Sequence, residues 1–321
     1  MARRAVAAPP DPAASVTSLV ADGQTREVLR RLELDVTRRL DGLLHGDHRG
    51  LVPGHGTDLG DIRRYAAGDD VRRIDWNVSA RLREPFLRQT IADHELDAWL
   101  LIDRSPTLDF GTARCEKRDL VLAAAAAVGF LTTRSGNRIG AVLAGKGPDT
   151  VIPARSPRNH LLRILHETAS TPRSDGAGPT DLAAAMRRLG ALARRRGLVV
   201  VISDFQGRPG WETTLRLLAE RHETLVVQPV DPRELELPDV GLLVLRDVVT
   251  GAVHEVPTSK ASVRRRFAEA AQARQERLAS TFTAARVQQL VLRTDHDWLD
   301  DVVRFVLLRR ARARQLSGVG R

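Results

Sequence analysis

The sequence predicts an α/β fold built on a doubly wound, mostly parallel sheet. Short apolar runs at residues 99–102, 198–202 and 224–230 are typical of strands that are buried on both faces. Helical patterns separate these runs, above all the Ala/Leu-rich stretch at residues 116–133. Because parallel neighbours must be joined by crossover connections, this alternation favours a parallel sheet with helices on both faces.

The other elements follow in chain order. Residues 25–44 carry Val and Leu at helical spacing and predict an amphipathic N-terminal helix with one buried stripe. Residues 84–93 alternate enough to form a strand that leads into the central one. The remaining patterns predict strands at residues 138–143, 150–152, 241–247, 252–256 and 287–292, and helices at residues 159–169, 181–195, 211–220, 259–285 and 297–312.

We expect four segments along the chain. Residues 1–22 are rich in Ala and Pro and predict a disordered tail. Residues 23–97 combine the N-terminal helix with a small β-rich lobe, because their Gly, Pro and paired charges favour turns and short strands. Residues 98–312 are expected to form the α/β domain, and residues 313–321 a basic tail.

The basic character of the chain comes from arginine. The 321 residues carry a formal net charge of +10, and the only lysines are Lys117, Lys146 and Lys260. Abundant Arg and Ala indicate GC-rich codons, so the charge alone is weak support for a nucleic-acid partner. Cys115 is the only cysteine, and no apolar stretch matches a signal-peptide core or a membrane-spanning helix. A reducing, cytoplasmic location is therefore expected.

Oxygen-bearing side chains follow two of the predicted strands. Asp103, Ser105 and Thr107 come directly after the first central strand, and Asp204 follows a later one. Thr180 stands just before an Ala-rich helix, where an N-cap or a ligand residue belongs. Open α/β sheets bind ligands at the carboxyl ends of their strands, and Mg²⁺ or Mn²⁺ prefers oxygen ligands. The pattern therefore predicts a site for one of these ions.

This three-loop arrangement resembles the metal-ion-dependent adhesion site of von Willebrand factor A-type domains. The resemblance implies that Asp103, Ser105 and Thr107 form the first loop of the metal site, Thr180 the second and Asp204 the third. It implies a binding site, with no catalytic residue among these five.

The sequence departs from the adhesion-site pattern in two loops. Arg104 and Pro106 stand inside the first motif, and Phe205 stands where a Gly often follows the last Asp. Arg104 would place a positive charge beside the expected ion. Further basic residues, expected to mark the exposed side of the helix at residues 116–133 near its start, are Arg114, Lys117 and Arg118.

A dense block of charged and aromatic residues stands upstream, at residues 61–81. It closely matches the signature of the family catalogued as domain of unknown function 58, and the chain is identified as a member over about residues 25–310. The signature positions are Arg63, Tyr65, Gly68, Asp69, Asp70, Arg72, Asp75, Trp76, Ser79 and Arg81.

Two roles fit this signature block. Mixed Arg and Asp side chains can form bidentate ion pairs that lock a small lobe, or they can present a surface to a partner. We expect Asp75 and Arg81 to belong to a buried lattice, and Arg72 and Arg73 to be exposed.

The family resemblance also implies a partner. It implies a bacterial, non-enzymatic adaptor of chaperone-like character that works with a MoxR-type AAA+ ATPase in protein remodelling or complex maturation. The metal site would then receive an acidic residue of the ATPase or of a client protein.

Three alternatives remain open at this stage. The same oxygen cluster could serve a Mg²⁺-dependent phosphohydrolase, although Ser105 and Ser203 have no His nearby in sequence to act as a base. The arginines could bind nucleic acid. The third alternative is a zinc site in a Gly-rich segment, formed by His45, His48 and His55.

Overall fold

The described part of the chain begins in a small N-terminal lobe. The structure is a computed structural model that describes residues 34, 62–66, 71, 74–82, 84–88, 97–134, 136–145, 147–156, 158–170, 172, 178 and 180–318. In this lobe β1 (Ile62–Arg64) and β2 (Phe86–Arg88) pair antiparallel, and α1 (Trp76–Leu82) lies between them in sequence. The two strands form a sheet of their own, separate from the central sheet.

The α/β body alternates strands and helices. Its strands are β3 (Asp97–Asp103), β4 (Arg138–Ala144), β5 (Thr150–Arg155), β6 (Leu198–Ile202), β7 (Glu223–Val230), β8 (Leu242–Arg246), β9 (Val253–Pro257) and β10 (Gln288–Arg293). Its helices are α2 (Lys117–Arg134), α3 (Arg158–Ala169), α4 (Leu182–Leu192), α5 (Glu212–Arg221), α6 (Ala261–Ala284) and α7 (Trp298–Gly318). Two short 3-10 helices, Pro106–Leu108 and Pro232–Glu234, lie in the loops that follow β3 and β7.

The central sheet has six strands in the order β10-β7-β6-β3-β4-β5. Within it β5 runs antiparallel to β4, and the other neighbours are parallel. Strands β8 and β9 form a separate hairpin between β7 and α6. The predicted α/β fold with a mostly parallel sheet is confirmed.

Two hydrophobic cores, one on each face of the sheet, hold the helices in place. Side chains alternate along β3, so Leu100 and Ile102 enter the core beneath α2, α3 and α7. Trp99 and Leu101 enter the opposite core beneath α4, α5 and α6. Burying one Leu or Ile side chain stabilises the fold by about 1.5–3 kcal/mol, so these strands fix the loops that follow them.

Most predicted element bounds lie within a few residues of those observed. The helix predicted over residues 181–195 ends earlier, at Leu192, and α7 continues to Gly318, beyond its predicted end at residue 312. Of the strand predicted over residues 84–93, β2 lies in the described part, and residues 89–96 lie outside it.

Several predictions concern residues outside the described part. The N-terminal helix predicted at residues 25–44 belongs to these, apart from Leu34, which is helical. The three histidines of the zinc alternative also lie outside, so that alternative stays untested. The four segment boundaries remain predictions. Among the described helices, none combines the length and the apolar character that a membrane crossing requires.

Candidate metal centre

The carboxyl edge of the sheet brings the predicted site residues together. Strands β3 and β6 are parallel neighbours with Ile102 opposite Ile202, so the loops that follow them emerge side by side. Asp103 closes β3, and Asp204 lies two residues beyond the end of β6. Thr180 precedes α4, whose N-cap Asp181 accepts a 2.8 Å hydrogen bond from the backbone N–H of Ala184.

Polar groups of all three loops converge on Asp103. Ser203 Oγ donates to its Oδ2 at 2.6 Å, and the backbone N–H of Ser105 donates to its Oδ1 at 2.9 Å. The hydroxyl of Thr180 lies near the same carboxylate and acts to lower its pKa. In the first loop, Ser105 Oγ and Thr107 Oγ1 are 2.9 Å apart and share a hydrogen bond. Four of the five predicted metal residues therefore lie in one cluster.

The carboxylate of Asp103 is buried and has no ion-pair partner among the described residues. The residue is 2% exposed, and among the described residues no cationic group lies within ion-pair distance of it. Burial raises the pKa of Asp103 to about 6, with a further contribution from the charge of Asp204, and the hydrogen bonds only partly oppose this rise. A bound cation would remove this electrostatic penalty.

Asp204, by contrast, already has a cationic partner within the chain. Lys117 Nζ lies 2.7 Å from Asp204 Oδ2 and 2.6 Å from Glu234 Oε1. Lys117 is completely buried, so the prediction that it marks an exposed helix side is wrong. Burial disfavours its charge, but the two carboxylates outweigh burial and raise the pKa of Lys117.

Glu234 connects the lysine to the loop after β7. Its Oε1 also accepts a 2.6 Å hydrogen bond from Gln206 Nε2, and its Oε2 accepts one from the backbone N–H of Asp231 at 3.1 Å. Asp231 in turn accepts hydrogen bonds from Thr112 and Thr294. These bonds outweigh burial and lower the pKa of Asp231. The network ties the first loop of the site to the carboxyl ends of β7 and β10.

Three participants in this site are not among the predicted ligands. Ser203 directly precedes Asp204, and this position places it at the same edge of the sheet. Lys117 is one of three lysines in a chain otherwise rich in arginine, which is an available signal. Glu234 has no such signal, because no local pattern links it to the other site residues.

Phe205 has a left-handed backbone conformation, at a position where the adhesion-site pattern often has glycine. Its φ is 55°, a region that L-residues with a side chain rarely occupy. Its ring packs on Trp211 and Phe282, with ring centroids 4.6 and 5.1 Å away. Aromatic burial therefore offsets the backbone strain and holds the third loop in position.

The second and third loops approach each other closely at Gly207. A Cβ placed on Gly207 would lie 2.7 Å from the carbonyl oxygen of Thr180, which is too close for any larger residue without a shift. Arg208 N–H donates to that same carbonyl at 3.4 Å. The glycine thus permits the contact that keeps Thr180 beside Asp103.

A cavity of about 40 Å³ opens beside the first loop. It reaches Asp103 and Ser105 from the side of α2 and α3, where Arg104 and Arg118 also line it, but it does not reach Thr180 or Asp204. A cavity of this volume has room for only a few water molecules. Arg104 donates to the carbonyl of Leu143 at 3.2 Å, and the negative charge of Asp103 acts to raise its pKa against the effect of burial. Both Arg104 and Lys117 therefore place positive charge near the candidate site.

The residues present fit a hard cation at Asp103. Among the described residues, no three His, Cys, Asp or Glu side chains are grouped as a carboxylate- or imidazole-rich metal site would need. The donor set instead combines Asp103 with the hydroxyls of Ser105, Thr107 and Thr180, and with Asp204 nearby. Mg²⁺ takes one or two carboxylates and keeps several waters, so this set suits Mg²⁺ or Mn²⁺ better than a softer metal.

Described residues of the signature block have structural roles in the N-terminal lobe. Asp75 precedes α1, and its Oδ1 accepts a 3.3 Å hydrogen bond from the backbone N–H of Val78, as an N-cap does. Ser79 is buried, and its Oγ accepts the backbone N–H of Phe86 at 2.9 Å. Arg64 pairs with Glu84 at 2.9 Å on the surface. Of these contacts, the one between Ser79 and Phe86 joins α1 to β2.

Other signature residues are exposed or lie outside the described part. Arg81 is exposed, so the expectation of a buried lattice is wrong for this residue. Trp76 is 71% exposed, whereas Tyr65 is half-buried. The side chain of Arg63 is not described, and the block also contains positions outside the described residues, namely Gly68, Asp69, Asp70, Arg72 and Arg73.

Cys115 is buried, with its thiol 3.9 Å from the carbonyl oxygen of Thr294. It lies beside the loop network described above and not at a solvent-facing surface. Cys115 is thus a packed thiol in the protein interior.

Comparisons with known proteins extend over most of the chain. The family described as protein of unknown function DUF58 matches residues 61–277. The uncharacterized proteins Rv1480 of Mycobacterium tuberculosis and Mb1516 of Mycobacterium bovis are each 49% identical over 291 residues, 91% of this chain and 92% of their own.

Solved structures resemble the chain more distantly. The crystal structure of the conserved hypothetical protein BatB from Bacteroides thetaiotaomicron has 14% identity and a TM-score of 0.38, covering 60% of this chain and 98% of BatB. The VWA domain of SpRpn10 has 13% identity and a TM-score of 0.37, covering 65% and 93%. Because the family matches more than half of its residues, the chain belongs to the family of proteins of unknown function DUF58.

Proposed function

We propose that this protein is a non-enzymatic interaction module whose carboxyl-edge site binds Mg²⁺, or Mn²⁺, and through it an acidic residue of another protein. The observation that supports this proposal most is the state of Asp103: a buried carboxylate, surrounded by hydroxyls, with no cation paired to it among the described residues. A hard divalent ion is the ligand that best matches this environment.

The partner would supply the remaining charge. Mg²⁺ held by few protein groups keeps water positions, and a Glu or Asp carboxylate can replace one of them. We infer that the partner is a MoxR-type AAA+ ATPase, or a client that the ATPase remodels, and that this protein acts as their adaptor. This part rests on the family resemblance. We also propose a cytoplasmic location, for which the support is the single cysteine of the sequence.

The described geometry favours no catalytic alternative. A hydrolase would need a base beside a nucleophile, and the hydroxyls of Ser105 and Ser203 contact Thr107 and Asp103. Asp103 contacts Ser203, and we propose that its carboxylate acts as a ligand of the ion and not as a base. We therefore advance a single function.

The test is a titration of the pure protein with Mn²⁺, followed by electron paramagnetic resonance of the free ion. Asp103→Ala is expected to weaken Mn²⁺ binding at least a hundredfold, and Thr180→Ala less, because it removes a neutral oxygen instead of a charge. Asp295→Ala is the matched control, since Asp295 follows β10 at the same edge but pairs with Arg293. Equal binding by all four proteins would contradict the proposed site.

A further inference from the structure

Lys117 lies where the third loop would contribute its charge to the ion. Its Nζ is 2.7 Å from Asp204 Oδ2, and the other oxygen of that carboxylate, Oδ1, accepts the backbone N–H of Gln206 at 3.1 Å. Both oxygens of Asp204 are therefore already engaged within the chain. Asp103 has hydrogen bonds alone, with no ammonium beside it.

The side chain of Lys117 is part of the protein interior and is not a surface group. It is the first residue of α2, its side chain has no exposed surface, and its Nζ also contacts Glu234 at 2.6 Å and faces the ring of Phe110. In this buried contact one ammonium, Lys117, faces the two carboxylates of Asp204 and Glu234. An ammonium so close to Asp204 repels any second cation that approaches the same carboxylate.

We propose that Lys117 is an internal cation that competes with the divalent ion for Asp204 and thereby keeps the metal affinity of the free protein low. This inference rests on the proposed function, because it assigns a positioning residue to the same site. The ion is then confined to Asp103 and its hydroxyl neighbours, and Asp204 acts on it from a distance. The edge also keeps its structure when no metal is bound, because the ammonium neutralises part of its charge.

A consequence is that a divalent ion and the Lys117 ammonium are partly interchangeable. If the lysine is replaced by a neutral side chain of similar length, Asp204 and Glu234 lose their cation, and the empty protein should be less stable. A divalent ion should restore that stability, because it can then approach Asp204. If the lysine served packing alone, its replacement would lower the stability of the metal-free protein, but a divalent ion would not restore that stability.

The experiment compares Lys117→Met with the wild type and with Lys260→Met, an exposed lysine at the start of α6 that serves as control. Mn²⁺ binding is followed by electron paramagnetic resonance, and the midpoint of thermal unfolding is measured in EDTA and in Mn²⁺. We expect Lys117→Met to bind Mn²⁺ at least tenfold more tightly than the wild type. We also expect it to melt lower in EDTA and to gain more from Mn²⁺, whereas Lys260→Met behaves as the wild type.

A second variant covers the case in which Lys117→Met does not fold. The double variant Lys117→Met/Glu234→Gln removes one carboxylate together with the ammonium, and the same tenfold gain is expected from it. Equal Mn²⁺ affinity with and without the lysine, or weaker binding without it, would overturn this inference and leave the proposed metal site standing. Absence of Mn²⁺ binding in the wild type and in both variants would overturn the inference and the proposed function together.

Discussion

Ser203 Oγ donates a 2.6 Å hydrogen bond to Asp103 Oδ2 and accepts the backbone N–H of Phe205 at 3.0 Å. One hydroxyl thus joins the carboxylate at the end of β3 to the loop after β6. Ser203 is completely buried, so this contact is shielded from bulk solvent. The alignment of the first and third loops depends on this contact.

Ser203→Ala is therefore expected to lower the free energy of unfolding by about 1–3 kcal/mol, because a buried carboxylate and a buried N–H each lose a partner. Urea denaturation at pH 7 in EDTA measures the change. Ser280→Ala is the control, because Ser280 is exposed and bonds only within α6. Equal stability of the two variants would show that the contact does not hold the loops.

The raised pKa of Asp103 predicts a pH dependence in the metal-free protein. Folding favours the protonated acid, so its contribution to stability is fully present below about pH 4 and is lost as the pH rises through about 6. A shift from 3.8 to about 6 corresponds to roughly 3 kcal/mol. Asp103→Asn cannot ionise and should lack this loss.

The measurement is the difference in unfolding free energy between wild type and Asp103→Asn, in EDTA, between pH 4 and pH 8. The wild type should become progressively less stable relative to the variant as the pH rises. Parallel curves over this range would mean that the carboxylate is compensated in some other way.

Phe205 allows a test of its left-handed backbone. Phe205→Ala and Phe205→Gly both remove the ring from Trp211 and Phe282 and should destabilise the protein by about 3–5 kcal/mol. At φ 55° the glycine variant should be the more stable of the two by about 1–2 kcal/mol. Thermal and urea unfolding measure the loss of stability relative to the wild type and the difference between the two variants. A glycine variant that is less stable than the alanine variant would contradict the left-handed backbone conformation of Phe205.

The signature block should separate into capping and exposed residues. Asp75→Ala is expected to lower stability by about 1 kcal/mol, because α1 loses its N-cap. Trp76→Ala should change stability by no more than about 0.5 kcal/mol, since the indole is largely exposed. Urea denaturation measures the free energy of unfolding of both variants. A large loss of stability for Trp76→Ala would indicate that Trp76 has a structural role and is not simply an exposed surface residue.

The fold and most of the candidate site were accessible from the sequence for a physical reason. A buried parallel strand requires a continuous apolar run, and the residue after such a run must emerge at the carboxyl edge. That argument placed Asp103, Ser105, Thr107 and Asp204 at this edge. Their grouping with Thr180 as one metal site came from the resemblance to the adhesion site, and the N-cap of α4 is Asp181.

The charge state of the site was not accessible in the same way. Lys117 is 87 positions from Asp204 and 117 from Glu234, so no local pattern links them. At a helix start, a lysine is usually exposed, and its burial here depends on two carboxylates that the fold brings to it. Phe205 was recognised as a departure from the adhesion-site pattern, but its aromatic partners come from α6 and the loop before α5.

Under the proposed function, partner binding needs the metal held at Asp103. Isothermal titration calorimetry in Mg²⁺ and in EDTA measures the affinity of the protein for a MoxR-type ATPase of the same cell, with Asp103→Asn as the companion variant. We expect the wild type to bind at least tenfold more tightly in Mg²⁺ and Asp103→Asn to show no metal dependence. Equal affinity of the wild type in Mg²⁺ and in EDTA would rule out a metal-dependent partner site at Asp103.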